Sequence, residues 1–175
     1  HPRSHSRKEQ EIILDEVEKA LELGVIRHSR SDYASPTVLV KKPDGSWRFC
    51  IDYRDLNSIT VDDWYPLPLI DEIMSELGGK NYYTTLDLKS GYWQIPIKEE
   101  HRKYTAFNTR FGLFEWLYMP FGLKTAPGVF QRIMNSLLAE LRPRGVYVYL
   151  DDIMIASGTW EEHLETIQLV LAKLD

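Results

Sequence analysis

Cysteine is nearly absent from this 175-residue chain: Cys50 stands alone, so no intramolecular disulfide can form and a reducing compartment is the expected setting. It falls inside the apolar stretch Trp47 to Ile51, which favours a packing role over reactive chemistry. No apolar run is long enough to cross a bilayer, no secretory leader pattern opens the chain, and neither a repeat nor a low-complexity tract interrupts it. Clustered histidine is lacking too. His28, His101 and His163 are scattered, and His1 and His5, although at helical metal spacing, lie in a polar terminus without a third ligand, so no zinc site is indicated. Positive charge is in deficit: 21 Lys and Arg against 26 Asp and Glu give a net charge of −5, the wrong sign for holding a polyanion. The acids, however, crowd residues 9–22, 61–76 and 161–165, away from Lys41, Lys42, Arg48, Arg54, Lys98, Arg102, Lys103 and Arg110. A hydrophobic share of 43% leaves enough apolar side chains for a real core, in one domain or two small subdomains.

What the chain does have is Tyr149-Leu150-Asp151-Asp152, two adjacent carboxylates between the apolar runs Val146 to Leu150 and Ile153 to Ala156. Runs of that length, rich in β-branched residues and tyrosine, read as two buried strands joined by a tight turn. Asp is a common turn former, so the pair alone is weak evidence. A second element strengthens it: residues 82–86 have strand composition, and Asp87 arrives where the strand gives way to Lys89, Ser90 and Gly91. Three hard oxygen donors at strand ends suit Mg²⁺ completed by water and phosphate oxygens. Two such ions about 4 Å apart are an arrangement for in-line displacement at phosphorus, so the aspartates point to phosphoryl transfer.

Further segments carry a family resemblance. In order they are Gly24-Val25-Ile26-Arg27, Ser35-Pro36, Val40 to Phe49 with Lys41, Lys42 and Arg48, Ile51 to Asn57 with Arg54, the Asp87 segment, Tyr118 to Pro127 with Phe121 and Gly122, and the Asp151-Asp152 hairpin. The chain resembles the fingers and palm of reverse transcriptases from gypsy-class LTR retrotransposons, with pararetroviral and retroviral polymerases as relatives. The resemblance implies an α+β right-hand polymerase fold, its palm an antiparallel sheet backed by helices. Fingers would comprise 1–62 and 95–119 and palm 63–94 and 120–175, with thumb, connection and ribonuclease H outside the chain. It implies RNA-directed DNA polymerase activity by a two-metal mechanism. Asp87 would bridge two Mg²⁺ ions, for which Mn²⁺ could substitute; Asp151 would ligate the ion nearest the primer 3′-hydroxyl, and Asp152 would complete the cluster less directly. Arg48 and one of Lys41 or Lys42, with Lys42 favoured, resemble the fingers cations that close on the dNTP phosphates. Backbone near Leu88 would approach the triphosphate, and Tyr92 would collide with a 2′-hydroxyl and so select dNTP over rNTP. Phe121 stands where many retroviral relatives carry Gln, so only apolar contact is available near the nucleotide. Arg54, Asn57 and Gly122 look like template-side contacts. The implied partners are a primed RNA or DNA template, dNTP and the rest of a Pol polyprotein, without a membrane; the implied setting is cytoplasmic, within a virus-like particle.

Two other readings compete. A noncatalytic domesticated module binding RNA or protein would have no need of the three aspartates with Arg48 and Tyr92, and an RNA-dependent RNA polymerase would have no use for the Tyr92 gate. The chain starts without Met and stops inside a helical pattern, as an excised fragment would, and weak or distributive synthesis is expected without a thumb.

Apolar periodicity predicts helices over 8–23, with Ile13, Val17, Ala20 and Leu21 on one stripe, over Leu67 to Leu77, from Thr125 through Leu138, and after a Thr159 cap through Leu174. Strands are expected at Thr37 to Val40 and Trp47 to Ile51 around Pro43-Asp44-Gly45, and at Tyr104 to Asn108 and Leu113 to Tyr118 around Arg110-Phe111-Gly112.

Overall fold

Helix α1 (Arg7–Glu22) starts where Ser6 and Glu9 cap each other: the Ser6 hydroxyl accepts from the Glu9 amide, and the Ser6 amide donates to the Glu9 carboxylate at 2.7 Å. This computed structural model describes residues 5–175; His1 to Ser4, and with them one half of the His1/His5 pair, lie outside the described residues. The chain divides into two compact units, residues 1–62 with 92–126 and residues 63–91 with 127–175.

In the first unit, Ile13, Val17 and Ala20 of α1 bury against Val25, Ile26, Tyr53, Phe107, Phe114 and Trp116. Phe107, Phe114 and Trp116 come from a five-stranded sheet in the order β1-β6-β5-β2-β3, built from β1 (Ile26–His28), β2 (Ser35–Lys41), β3 (Trp47–Ile51), β5 (Phe107–Thr109) and β6 (Gly112–Trp116). All its pairings are antiparallel except that of β2 with β5. The β2–β3 turn closes as expected: Asp44 Oδ1 accepts from both the amide and the hydroxyl of Ser46. Between β3 and the chain's second unit lies α2 (Arg54–Ile59), which the sequence did not announce because it buries no residue and so carries no apolar stripe. The expected strand at Tyr104 to Asn108 starts later, at Phe107, since the short helix α4 (Glu99–Arg102) runs on into a 3₁₀ turn at Lys103–Thr105.

The second unit is organised on a three-stranded antiparallel sheet, order β4-β8-β7, from β4 (Tyr82–Asp87), β7 (Val146–Tyr149) and β8 (Asp152–Ser157). Helix α3 (Ile70–Leu77) lays Ile73 and Leu77 against Ala156, with Tyr147, Tyr149 and Met154 alongside. It begins after Leu69 rather than at Leu67, because Pro68 keeps the residue before it out of helical geometry. Helix α6 (Trp160–Leu174), capped by the Thr159 hydroxyl, buries His163, Thr166 and Val170. Its His163 ring lies 2.8 Å from Thr84 Oγ1 and 3.2 Å from Ser157 Oγ, tying β4 to β8. Helix α5 (Ala126–Leu137) contributes buried Phe130, Gln131 and Met134.

The boundaries fall at 91/92 and 126/127 instead of the expected 94/95 and 119/120. The reason is packing within the first unit: the rings of Tyr92 and Trp93 lie 4.9 Å from Phe121 and 5.7 Å from Trp116. The Asn57 side chain also donates to the Gly122 carbonyl (2.8 Å) and accepts from the Lys124 amide (2.9 Å), holding 121–124 to the same unit.

Gly145 enters β7 at φ 83°, and a Cβ there would stand 2.1 Å from the Ala156 carbonyl oxygen. Both the left-handed backbone and the clash oppose any side chain. Gly145→Ala is therefore expected to lower stability by about 3 kcal/mol, read as a reduced urea midpoint at unchanged m-value.

Candidate active site

The last rung of the β4–β8 ladder sets Asp87 directly opposite Asp152. Facing residues of an antiparallel pair project to the same side, with Cβ atoms about 5 Å apart, so the register alone brings these two carboxylates together. Asp151 joins them from the β7–β8 turn, where Tyr149 pairs with Asp152 and only Leu150 and Asp151 remain unpaired. Leu150 has φ 52°, a left-handed backbone where this kind of turn prefers Gly. Holding leucine there costs about 1–3 kcal/mol. The turn is fixed from both sides: the Leu88 amide donates to the Asp151 carbonyl at 3.0 Å, and the Leu150 amide donates to Gln131 Oε1 at 2.8 Å.

Among the described residues no Lys or Arg forms a salt bridge with Asp87, Asp151 or Asp152. Asp151 Oδ1 is buried without a hydrogen-bond partner. Burial pushes the Asp151 carboxyl above the ordinary range, and the charges of Asp87 and Asp152 push it further. An unpartnered carboxylate oxygen among uncompensated like charges is a donor set that fits a hard divalent cation. Among the described residues, no group of three His, Cys, Asp or Glu side chains is arranged to hold a metal ion. The fit thus lies in donor chemistry and charge, with Asp87, Asp151 and Asp152 the residues that would hold an ion.

The first unit gathers another set of the expected residues. Lys42, Arg48, Phe121 and Gly122 line one cavity of about 610 Å³, walled by Trp47, Phe49, Trp93 and Trp116; Lys41 is not part of its lining. Arg48 and Phe121 are exposed, whereas Tyr92 is 7% exposed and lies against Phe121. Cys50 shares the cavity wall, and burial raises its thiol, in keeping with an inert role. Gly122 has φ 92°, which explains glycine there.

Three expected contacts sit differently from the sequence reading. The Leu88 amide is engaged by the Asp151 carbonyl, so it is not free to donate to a phosphate. Asn57 has its side-chain oxygen and nitrogen engaged by the 122–124 backbone. Arg54 forks onto Asp52, at 2.8 and 2.7 Å. For Leu88 and Asn57 the partner lies too far along the chain for local pattern to show it, whereas Arg54 bonds its near neighbour Asp52 and, 80% exposed, keeps guanidinium N–H groups beyond the two that Asp52 accepts.

Residues 40–175 match the reverse transcriptase (RNA-dependent DNA polymerase) family, and the chain belongs to it. The resemblance to retrotransposon polymerases read from the sequence is borne out by its relatives. The Retrovirus-related Pol polyprotein from transposon 297 of Drosophila melanogaster is 50% identical over 165 residues, covering 91% of this chain and 16% of that polyprotein. The Transposon Tf2-3 polyprotein of Schizosaccharomyces pombe is 39% identical over 160 residues, 91% of this chain and 12% of its own length. The foamy viral protease-reverse transcriptase in complex with RNA/DNA hybrid superimposes with a TM-score of 0.91 at 28% identity, over 99% of this chain and 23% of that one. The α+β fold with antiparallel palm sheet and backing helices agrees with that structure. The chain thus spans only a small part of the relatives it matches. Among the described residues no helix is long and apolar enough to cross a membrane.

Because the folded-state pKa of Asp151 is raised, its ionised form opposes folding: the penalty is absent below the unfolded carboxylate pKa and is complete above the folded one. Asp151→Asn should therefore melt higher than the unmutated protein at pH 7 in EDTA, with the gap closing towards pH 3. An ion such as Mg²⁺ held by the cluster should offset that gap, adding about 1.4 kcal/mol to the unmutated protein at ten times its dissociation constant and nothing comparable to the variant. Thermal melts across pH, with and without Mg²⁺, check both signs.

Proposed function

We propose that this chain is the catalytic fingers and palm of an RNA-directed DNA polymerase, extending a primer 3′-hydroxyl by template-directed dNTP addition. The observation that carries the reading is the unpartnered, buried Asp151 oxygen beside Asp87 and Asp152, in a chain of the reverse transcriptase family. Asp87, Asp151 and Asp152 would hold two Mg²⁺ ions. When bound, those ions would supply an acidified primer hydroxyl and neutralise charge on the phosphate and on the departing pyrophosphate.

The chain's own residues supply the rest. Lys42 and Arg48 bind the triphosphate: a point charge and a planar fork, on the wall of one cavity, offset charge that builds on phosphate oxygens. Tyr92 excludes a 2′-hydroxyl. Its ring is 7% exposed and packs against Phe121, and a packed ring is a better steric discriminator than a mobile one. Phe121 offers the nucleotide an exposed apolar surface without a hydrogen bond. Template contact falls to Arg54 and to the backbone at Gly122, with Asn57 holding the 122–124 segment in shape. The foamy viral enzyme has been seen with RNA/DNA hybrid and with double-stranded DNA, which supports a nucleic-acid template and primer as partners here.

Primer extension on RNA and DNA templates, with this chain and with a longer piece of its polyprotein, tests the reading. Extension should need Mg²⁺ or Mn²⁺ and be distributive for this chain alone. Asp87→Asn or Asp151→Asn should slow it about 10³-fold or more, the loss of several kcal/mol of charge stabilisation. Tyr92→Ala should cut dNTP-over-rNTP preference about tenfold. Undiminished extension by either Asn variant would refute the assignment.

A further inference from the structure

Gln131 is wholly buried on α5, and every polar atom of its carboxamide is engaged. Its Oε1 accepts from the Leu150 amide at 2.8 Å; its Nε2 donates to the Val148 carbonyl and to Asn135 Oδ1, both at 2.9 Å. We propose that Gln131 is a positioning residue for the acidic cluster, a clamp that holds the β7–β8 turn in the conformation presenting Asp151. This rests on the reading that Asp87 and Asp151 take divalent ions.

The two backbone groups it grips, Val148 C=O and Leu150 N–H, bracket Tyr149 and lead directly into Asp151. Leu150 sits in the left-handed region, where a leucine turn left to itself relaxes towards negative φ. A clamp against that relaxation needs an acceptor for the Leu150 amide and a donor for the Val148 carbonyl on one side chain of the right length. Glutamine meets all three requirements. Glutamate lacks the donor, and asparagine is one methylene short.

The carboxamide is itself oriented. Asn135, one helical turn on, accepts from Nε2 and donates from its own Nδ2 to the Tyr65 hydroxyl at 2.9 Å. The Tyr65 ring lies under the Arg132 guanidinium, which pairs with Asp63 at 2.6 Å. A continuous polar chain thus runs from Asp63 through Arg132, Tyr65, Asn135 and Gln131 to the turn, all within the second unit. Each link fixes the rotamer of the next, so the oxygen of Gln131 faces Leu150 and its nitrogen faces Val148.

Mn²⁺ titration of the whole chain, followed by the electron paramagnetic resonance signal of free Mn²⁺ and with folding checked by circular dichroism, tests the proposal without using catalysis. Gln131→Leu should weaken Mn²⁺ binding about tenfold or more. Adding Leu150→Gly should restore much of it, because glycine adopts the left-handed turn unaided. Asn135→Ala, which frees the carboxamide without touching the turn, should weaken binding about threefold, a partial loss of the same outer support. Val170→Ala, a buried truncation on α6, should lose stability and leave affinity unchanged. If Gln131→Leu does not fold, the Gln131→Leu/Leu150→Gly pair and Asn135→Ala decide: both must bind Mn²⁺, the latter more weakly than the unmutated chain. Unaltered affinity in folded Gln131→Leu, or equal weakening in Val170→Ala, would overturn the clamp while leaving the metal reading intact. Failure of the unmutated protein to bind Mn²⁺ would instead remove the metal reading, and the clamp with it.

Discussion

Two carboxylates face each other across the last rung of the β4–β8 ladder, a third joins them from the adjoining turn, and among the described residues no Lys or Arg forms a salt bridge with any of them. Like charges directly opposed in a sheet destabilise it, so this corner of the fold exists in spite of its local electrostatics. What holds it is everything around it. Six paired residues from Tyr82 to Asp87 lock β4 onto β8, and buried His163 ties the same two strands through Thr84 and Ser157. A one-residue slip in that pairing would send Asp87 to the opposite face of the sheet, and the acids would no longer meet.

The same corner also contains an unfavourable backbone conformation. Leu150 is left-handed where glycine would be at ease, and the burial of Asp151 raises its carboxyl. Unfavourable backbone and unfavourable charge at one turn agree with the cation site proposed there. The ion would supply the missing counter-charge. Stability is conceded locally and recovered from the packed helices behind the sheet, the usual relation between a functional site and its scaffold.

Much of this was legible in the sequence, for identifiable reasons. The stripe Ile13, Val17, Ala20 marks α1 by period, Pro43-Asp44-Gly45 marks the β2–β3 turn by chemistry, and Asp87 and Asp151-Asp152 stand at strand ends because the apolar runs stop there. What stayed hidden depends on distant partners. Gln131 reads as one polar residue within an apolar stripe; its importance lies in backbone groups 17 and 19 residues away. Asn57 reads as a surface residue of a polar segment, yet its side chain braces Gly122 and Lys124, 65 and 67 residues on. The edge between the units moved for the same reason, since ring contacts such as Tyr92 with Phe121 leave no trace in local composition.

Charge shows how far a count of residues can mislead about nucleic-acid affinity. Of the eight cations that stand apart from the acidic segments, Arg54 pairs with Asp52, Arg102 pairs with Glu99, and Arg110 hydrogen-bonds to Gln10. Lys124 and Arg27, which lie elsewhere in the first unit, pair with Asp62 and with Glu99 and Glu115. A cation already facing a carboxylate releases no net counterion on meeting a phosphate unless that pair breaks, so it adds little to the salt-dependent part of binding. Lys41, Lys42, Arg48 and Lys98 make no salt bridge among the described residues, and Lys42 and Arg48 share a cavity wall. Any electrostatic grip on a nucleic acid would therefore come from far fewer groups than the 21 basic residues suggest, against a net charge of −5. Under the proposed function, a template held by so few phosphate contacts would exchange quickly, which is the physical reason for distributive behaviour even with the acidic cluster fully formed.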